Sequence, residues 1–359
     1  MNKSPDAMMQ RLLEESSLVS SSQPIDSLLL KNMLKRHYGL SGHVERLSSE
    51  KGHTFRLKAD ASEYLVKVSP SDEPEPVTAL QIAAIRYLDD TAHALPIQRI
   101  KATLDRRDSV PIDLGGGTCR ILSVFCFVEG LLWEQMDANA EHLTKLGDML
   151  GRVNSALRLF GHPAAARSLV YDIGQFHRWA GLVDYTPDPK RRLLAQRSFK
   201  LFEEVVLPRL SSLETQVIHG DYAPNNVVVD PLSDVFVKAI LDFGDTVHTA
   251  VIFDPANPVA HLIGRTQDHP WQDALAFVAG YEQSRPINES ELPLLPVAAL
   301  ARLTMLALIR HWKAERAPDQ SEELLAGAEY YWTNLERAMA VPLDDVIARF
   351  RHRAAESRA

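Results

Sequence analysis

Apolar positions along the chain change their spacing, and each change marks an element. Leu29, Leu30, Met33 and Leu34 recur at helical spacing behind Pro24 and Asp26, which predicts a helix that stops at Gly39. From Val44 to Val68 the period drops to two, and the runs His53–Lys58 and Tyr64–Val68 read as strands. The polar reversal Ala59-Asp60-Ala61-Ser62-Glu63 joins them into an antiparallel hairpin. Thr78–Leu88 returns to helical spacing, with Leu80, Ala84, Ile85 and Leu88 inward. Strand patterns follow at Pro96–Leu104, Ser109–Leu114 and Cys119–Val128, with Gly115-Gly116-Gly117 as a turn before the last.

After Glu129-Gly130 helices take over. Leu143, Leu146, Leu150, Val153, Leu157 and Phe160 form one apolar stripe, closed by Gly161-His162-Pro163. Similar stripes cover Lys190–Leu207, Trp271–Gln283, Val297–Trp312 and Glu322–Ala340. The most apolar stretch, Pro296–Trp312, contains Arg302 and Arg310 and reads as a core helix. Between the helices lies a valine-rich island, Val217–Val229 and Val235–Asp242, broken by turns. The expected fold is α+β with two lobes. An N-terminal antiparallel sheet with a helix covers 23–127, and a larger, mainly helical C-terminal lobe covers 128–359. Ser16, Ser17, Ser20, Ser21 and Ser22 mark residues 1–22 as a flexible leader.

Composition narrows the function classes. A length of 359 residues suits two structural units, and 45% hydrophobic residues exclude a disordered chain. Cys119 and Cys126 are seven apart in one strand-like run, so they point to opposite faces. That excludes a disulfide or zinc site between them and fits a reducing, cytoplasmic setting. The net charge of −8, with no run of Lys and Arg, argues against a nucleic-acid partner. The N-terminus lacks the apolar stretch of a signal peptide, and no segment holds ~18 uninterrupted apolar residues, so no membrane partner is expected.

The valine-rich island carries the chemistry. His219-Gly220-Asp221 is followed by Asn226 and then by Asp242-Phe243-Gly244-Asp245. Asp221 lies on a loop leaving a strand, Asn226 opens the next strand, and Asp242 ends its partner. One carboxylate and one amide oxygen, completed by water and phosphate oxygens, suit Mg²⁺ at a nucleotide site. The remaining carboxylate is placed to accept a proton from an alcohol. These are the parts of phosphoryl transfer, where positioning and charge neutralisation supply most of the catalysis.

This set resembles the catalytic and metal loops of the aminoglycoside phosphotransferase/choline kinase family, which has a two-lobed protein-kinase-like fold. The resemblance implies Asp221 as catalytic base and Asn226 and Asp242 as Mg²⁺ ligands. It implies His219 as a loop support, although by itself His219 reads as an unreactive buried histidine. Lys67 resembles the kinase strand lysine that pairs the nucleotide phosphates, and Glu75 is the candidate for its acidic partner. The segment Ser48–Thr54 has one glycine, not a G-x-G-x-x-G. There Ser49, Gly52 and Thr54 are expected to touch phosphates through hydroxyls and backbone N–H groups. Phe125 and Phe127 belong to the stretch expected to hold the base, of ATP or of GTP.

Asp242–Thr246, Phe253-Asp254, and Phe160 with His162–Ala165 ahead of Tyr171-Asp172 resemble the hydroxylysine kinase branch of that family. The implied acceptor is 5-hydroxylysine, with homoserine, choline or ethanolamine, and aminoglycosides as alternatives. A nucleotide-binding pseudoenzyme is the reading from a different class. Asp245 is divided between a place beside the transferring phosphate or substrate amine and a loop-capping role. Asp254 before Pro255 reads as a helix N-cap, and Asp172 as a surface turn. The first 127 residues balance 16 Lys and Arg against 16 Asp and Glu, so the whole −8 falls on 128–359. A negative field there favours a small cationic, hydroxyl-bearing acceptor.

Overall fold

A computed structural model of the chain describes residues 13, 25–47, 49, 52–60, 62–113, 119–266 and 268–358. Helix α1, Ser27–Tyr38, starts where the Asp26 carboxylate accepts from the N–H groups of Leu28 and Leu29, and ends at Gly39 with φ 68°. Strands β1 (His43–Leu47), β2 (His53–Lys58), β3 (Glu63–Val68), β4 (Ser109–Asp113) and β5 (Cys119–Cys126) form one antiparallel sheet in the order β1-β2-β3-β5-β4. The period-two pattern divides its faces. Phe55, Leu57, Val66, Val68, Leu122 and Val124 pack under α1 against Leu30, Leu34 and Tyr38. Burying each of the two leucines stabilises by about 2 kcal/mol. The intervening residues Thr54, Leu65, Lys67, Ser123 and Phe125 turn to a cleft on the other face.

Helix α2, Glu75–Thr91, crosses to the second lobe. That lobe is built on helices α3 (Ala140–Leu157), α4 (Pro189–Val205), α5 (Phe253–Leu262), α6 (Gln272–Ser284), α7 (Leu294–Arg316), α8 (Ser321–Met339) and α9 (Leu343–Arg358). Helix α7 is long and apolar enough to cross a membrane, yet 94% of its apolar window is buried inside the protein. It is the core of the lobe. The valine-rich island folds as two small sheets. Strands β7 (Thr215–Ile218) and β10 (Val247–Ala250) pair with each other, while β6 (Leu131–Leu132), β8 (Val227–Val229) and β9 (Val237–Ile240) form the second. Chain order makes the loop after β7 and the loop after β9 neighbours.

Several expectations change. Pro96–Leu104 is no strand. It is a strap, bonded to β9 through Gln98 N to Ile240 O (3.1 Å) and to β5 through Cys126 N to Arg99 O (2.9 Å). Pro96 lacks an N–H and takes part only as an acceptor, from Ile240 N (2.7 Å). Helix α5 holds Pro255 and Pro258, which hid it from a reading by propensity. The stretch Ile173–Tyr185 folds as successive 3₁₀ turns that no apolar stripe announced. The flexible leader at 1–22 lies outside the described residues, apart from Leu13, which is helical and buried. The triple glycine at 115–117 lies outside them too.

Candidate active site

Two loops and one helix position the central carboxylate. Where the chain leaves β7, the N–H groups of His219 and Gly220 donate to the Asp254 carboxylate at 3.2 and 2.9 Å. Asp254 is wholly buried in the first turn of α5, whose N-cap is Ile252. It is therefore no N-cap, because its oxygens are spent across the fold on the loop before Asp221. Gly220 takes φ +80°, and a Cβ there would lie 2.2 Å from the Asp245 carbonyl oxygen, so only glycine fits. His219, also wholly buried, bonds the Leu241 carbonyl through Nε2 (3.0 Å) and accepts the Asp221 N–H on Nδ1 (3.2 Å). Burial pushes its pKa down, so the ring is neutral and joins the two loops.

The Asp221 carboxylate is held on three sides. Oδ1 accepts from Arg302 Nη2 of α7 (3.1 Å) and from Asn257 Nδ2 of α5 (3.3 Å), while Oδ2 accepts from Asn226 Nδ2 (2.7 Å). A carboxylate offers about four acceptor positions, so one is left for an incoming hydroxyl. Burial pushes its pKa up to about 6, with Asp245 and Asp242 adding to the rise and Arg302 opposing it. It is thus ionised at pH 7 and poised near the working range of a general base.

Asn226 gives its Nδ2 to Asp221, so Oδ1, which takes only a long 3.4 Å contact from Asn225 Nδ2, is the amide's donor atom for a cation. Its carbonyl takes the Leu241 N–H (2.8 Å), which brings Asp242 alongside. Asp242 sits at φ +55°, a conformation rare for a residue with a side chain, and its Oδ1 accepts from Gly244 N at 3.1 Å. Its other oxygen lies 3.1 Å from Lys67 Nζ, across the cleft on β3. Burial raises the Asp242 pKa, but Lys67 and the Gly244 N–H outweigh it and hold the carboxyl below its usual range. Among the described residues no three His, Cys, Asp or Glu side chains gather as a metal cage. The donor set fits Mg²⁺ completed by phosphate and water oxygens, and not a closed protein site.

These groups face one cleft of about 700 Å³ between the lobes. Ser49, Thr54, Lys67, Phe125 and Phe127 line its upper wall, and Asp221, Asn226, Asp242 and Asp245 its lower wall. Gly52 forms the turn, where its carbonyl accepts from Ser49 Oγ (3.3 Å). The Arg56 guanidinium lies 4.3 Å from the Phe127 ring centroid. Glu75 does not face this space. It is exposed in the first turn of α2, whereas Glu73, before Pro74, lines the cleft and accepts from Thr78 Oγ1 (2.8 Å). Asp172 is no surface turn either. It is buried, accepts from Gly174 N (3.0 Å) and Thr249 Oγ1 (3.1 Å), and burial pushes its pKa up. Arg302 and Asn257 carried no motif; Asp254 was marked in the sequence but as a cap, and all three act here through tertiary contacts.

The sequence profile described as "Phosphotransferase enzyme family" matches residues 43–289. The chain belongs to this family. It is a kinase with the two-lobed protein-kinase-like fold, in which an antiparallel sheet lobe precedes a mainly helical one. It is similar to the hydroxylysine kinase of Danio rerio, 23% identical over 91% of this chain and 95% of that protein. The hydroxylysine kinase of Mus musculus is 21% identical over 82% of this chain and 84% of its own length. Among solved structures, a microcompartment-associated aminopropanol kinase superimposes with a TM-score of 0.68 at 17% identity, covering 88% of this chain and 98% of that one.

Proposed function

We propose that this kinase transfers the γ-phosphoryl group of a magnesium nucleotide, ATP or GTP, to the hydroxyl of a small amino alcohol or hydroxy amino acid, with 5-hydroxylysine as first choice. One observation carries the reading: Asp221, Asn226 and Asp242 face Lys67 across a single cleft. Full-length similarity to hydroxylysine kinases supports the acceptor. In this reading the open acceptor position of Asp221 takes the proton of the substrate hydroxyl. The hydroxyl oxygen forms a bond to the γ-phosphorus while the bridging P–O bond breaks, and the nucleoside diphosphate leaves with that electron pair. Lys67 meets the nucleotide phosphates, and Ser49, Gly52 and Thr54 close over them. Asn226 and Asp242 hold Mg²⁺, which when bound neutralises phosphate charge and orients the transferred group. Asp245 stands on the same wall toward the acceptor's amine, and Phe125 and Phe127 enclose the base.

The test is nucleotide consumption by the full chain with ATP and GTP, against hydroxylysine, homoserine, choline, ethanolamine and an aminoglycoside. Turnover with hydroxylysine is expected, together with a loss on the order of 10²–10⁴-fold in D221N. Nucleotide binding without turnover of any acceptor overturns the proposal in favour of a pseudoenzyme, and D221N activity within tenfold of wild type overturns the assigned base.

A further inference from the structure

Beside the cleft lies a second, much smaller cavity of about 10 Å³. Asp245 lines both, so the two adjoin. Asn257 and Arg302, which donate to Asp221 Oδ1 at 3.3 and 3.1 Å, line the small cavity as well, and so does Gly220, the residue before Asp221. The cavity therefore stands against the groups that hold the central carboxylate. A volume of this size admits about one water-sized group.

The polar lining of the cavity comes from separate elements. Asp172 caps the 3₁₀ turns Ile173–Tyr185, Thr249 lies on β10, Asn257 on α5 and Arg302 on α7. Asp172, Asn257 and Arg302 are only 8%, 2% and 3% exposed. Asn257 gives its Nδ2 to Asp221, and its buried Oδ1 has no partner among the described residues. Leaving a buried acceptor unpaired costs about 1–3 kcal/mol, so this oxygen calls for a donor in the cavity. Among the described residues Arg302 is the one cation of the lining, and its two Nη groups are spent on the Tyr171 carbonyl and on Asp221. Its Nε is also unpartnered, but one arginine beside two carboxylates, Asp172 and Asp245, leaves the cavity negative. Burial pushes the Asp172 pKa up, while the Gly174 N–H, the Thr249 hydroxyl, the Gln175 side chain and Arg302 oppose the rise. A cation in the cavity acts in the same direction as these.

We infer that this cavity takes the primary ammonium group next to the acceptor's reacting hydroxyl, with Asp172, Asp245 and Asn257 offering the oxygens that receive it. This rests on the proposed phosphotransfer at Asp221. An ammonium group is close to water in size and carries three donors and no acceptor, which matches an acidic lining with an unpaired amide oxygen. Ile173, Val247 and Phe253 keep bulk water from the cavity, and this strengthens its charge contacts. Asn257 meets Asp221 with one end of its amide and leaves the other end for the cavity, so amine and hydroxyl are near neighbours in the acceptor. The side-chain amine of 5-hydroxylysine stands in that relation to its hydroxyl, and so does the amine of ethanolamine. A trimethylammonium group is too large and has no N–H to give. Quaternary ammonium ions are held by aromatic faces, and the Tyr171 face is already covered by the Arg302 guanidinium, 4.8 Å from the ring centroid. Choline is therefore outside the substrate class.

The experiment uses the full chain with Mg-ATP and compares 5-hydroxylysine with 2-amino-5-hydroxyhexanoic acid, which lacks the side-chain amine, and ethanolamine with choline. Wild type is expected to favour the primary amine in each pair by on the order of 10²-fold in kcat/KM, mainly through KM. D172N keeps the shape of the side chain and loses its charge. It is expected to raise KM for hydroxylysine and to bring the hydroxylysine ratio at least about tenfold closer to one. A wild-type ratio near one leaves the cavity to a structural water and overturns the inference, and so does a D172N ratio equal to wild type. The wild-type ratios need no variant, so they test the inference even where D172N folds poorly. Turnover of choline or of the amine-free analogue alone overturns the inference but leaves the phosphotransfer reading standing. No turnover of any hydroxyl acceptor overturns both.

Discussion

At the scale of single residues, the site depends on a carboxylate kept ionised in a largely buried place. Burying a charge takes water from the ion, and this raises the Asp221 pKa to about 6; Arg302 limits the rise. Arg302→Met leaves Asp221 with Asn257 and Asn226 but without its cation. kcat is expected to fall by on the order of 10²-fold, as for a reacting group held out of place, with nucleotide affinity little changed. Steady-state kinetics beside a nucleotide-binding titration separate the two; equal losses in both would mark Arg302 as a general fold residue. His261 gives a second residue-scale prediction. Burial, helped by Arg302 and Arg310, pushes its pKa down to about 3, against about 6.5 in an unfolded chain. Between those values the unfolded chain binds a proton that the folded chain does not. Its contribution is therefore complete above pH 6.5 and is lost as pH falls, at up to about 1.4 kcal/mol per unit. His261→Gln should flatten the fall in stability between pH 6.5 and 5, measured by urea unfolding. Parallel curves for variant and wild type would remove the assignment.

At the scale of elements, packing decides where propensity is silent. Helices α3 and α6 approach until their backbones touch, because Gly147 and Gly280 face the opposite helix. A Cβ on Gly280 would stand 1.8 Å from the Thr144 carbonyl oxygen. Gly280→Ala gains about 1 kcal/mol of helix propensity but forces the helices apart. Overpacking of this kind costs about 3 kcal/mol, so net destabilisation of roughly 2 kcal/mol is expected from denaturant unfolding. A neutral or stabilised variant would show that the helices separate freely. The same distinction explains what could be read beforehand. The hairpin β2–β3 and α1 follow from alternation and from the Asp26 and Gly39 signals, which are local. Helix α5 does not, since its two prolines speak against it while tertiary contacts bury nearly all of it. Glu73 and Glu75 are two residues apart, and only the start of α2 at Glu75 decides which one reaches the cleft.

At the scale of the molecule, charge is divided between the lobes. The balanced first 127 residues and the −8 on the rest make a field that would draw a cationic acceptor, such as the proposed one, toward the second lobe. kcat/KM for a net-cationic acceptor is then expected to fall as salt rises from 0.01 to about 0.15 M, where the screening length shortens from about 30 to about 8 Å. A kinetic series in KCl checks this, and a flat or rising profile would discard steering. The candidate site residues Asp221, Asn226, Asp242 and Lys67, which line one cleft, stand out in the chain because their types and spacings are themselves the signal. Alternating and helical periodicity likewise names the two lobes, since a core-facing stripe is a local property. Arg302 and Asn257 carry no such mark. They come from helices 30 to 90 residues beyond Asp221, and an arginine in an apolar helix reads as an isolated charge until folding supplies its partner. Which residues hold the central carboxylate depends on distances through space, and only the packed helices set those.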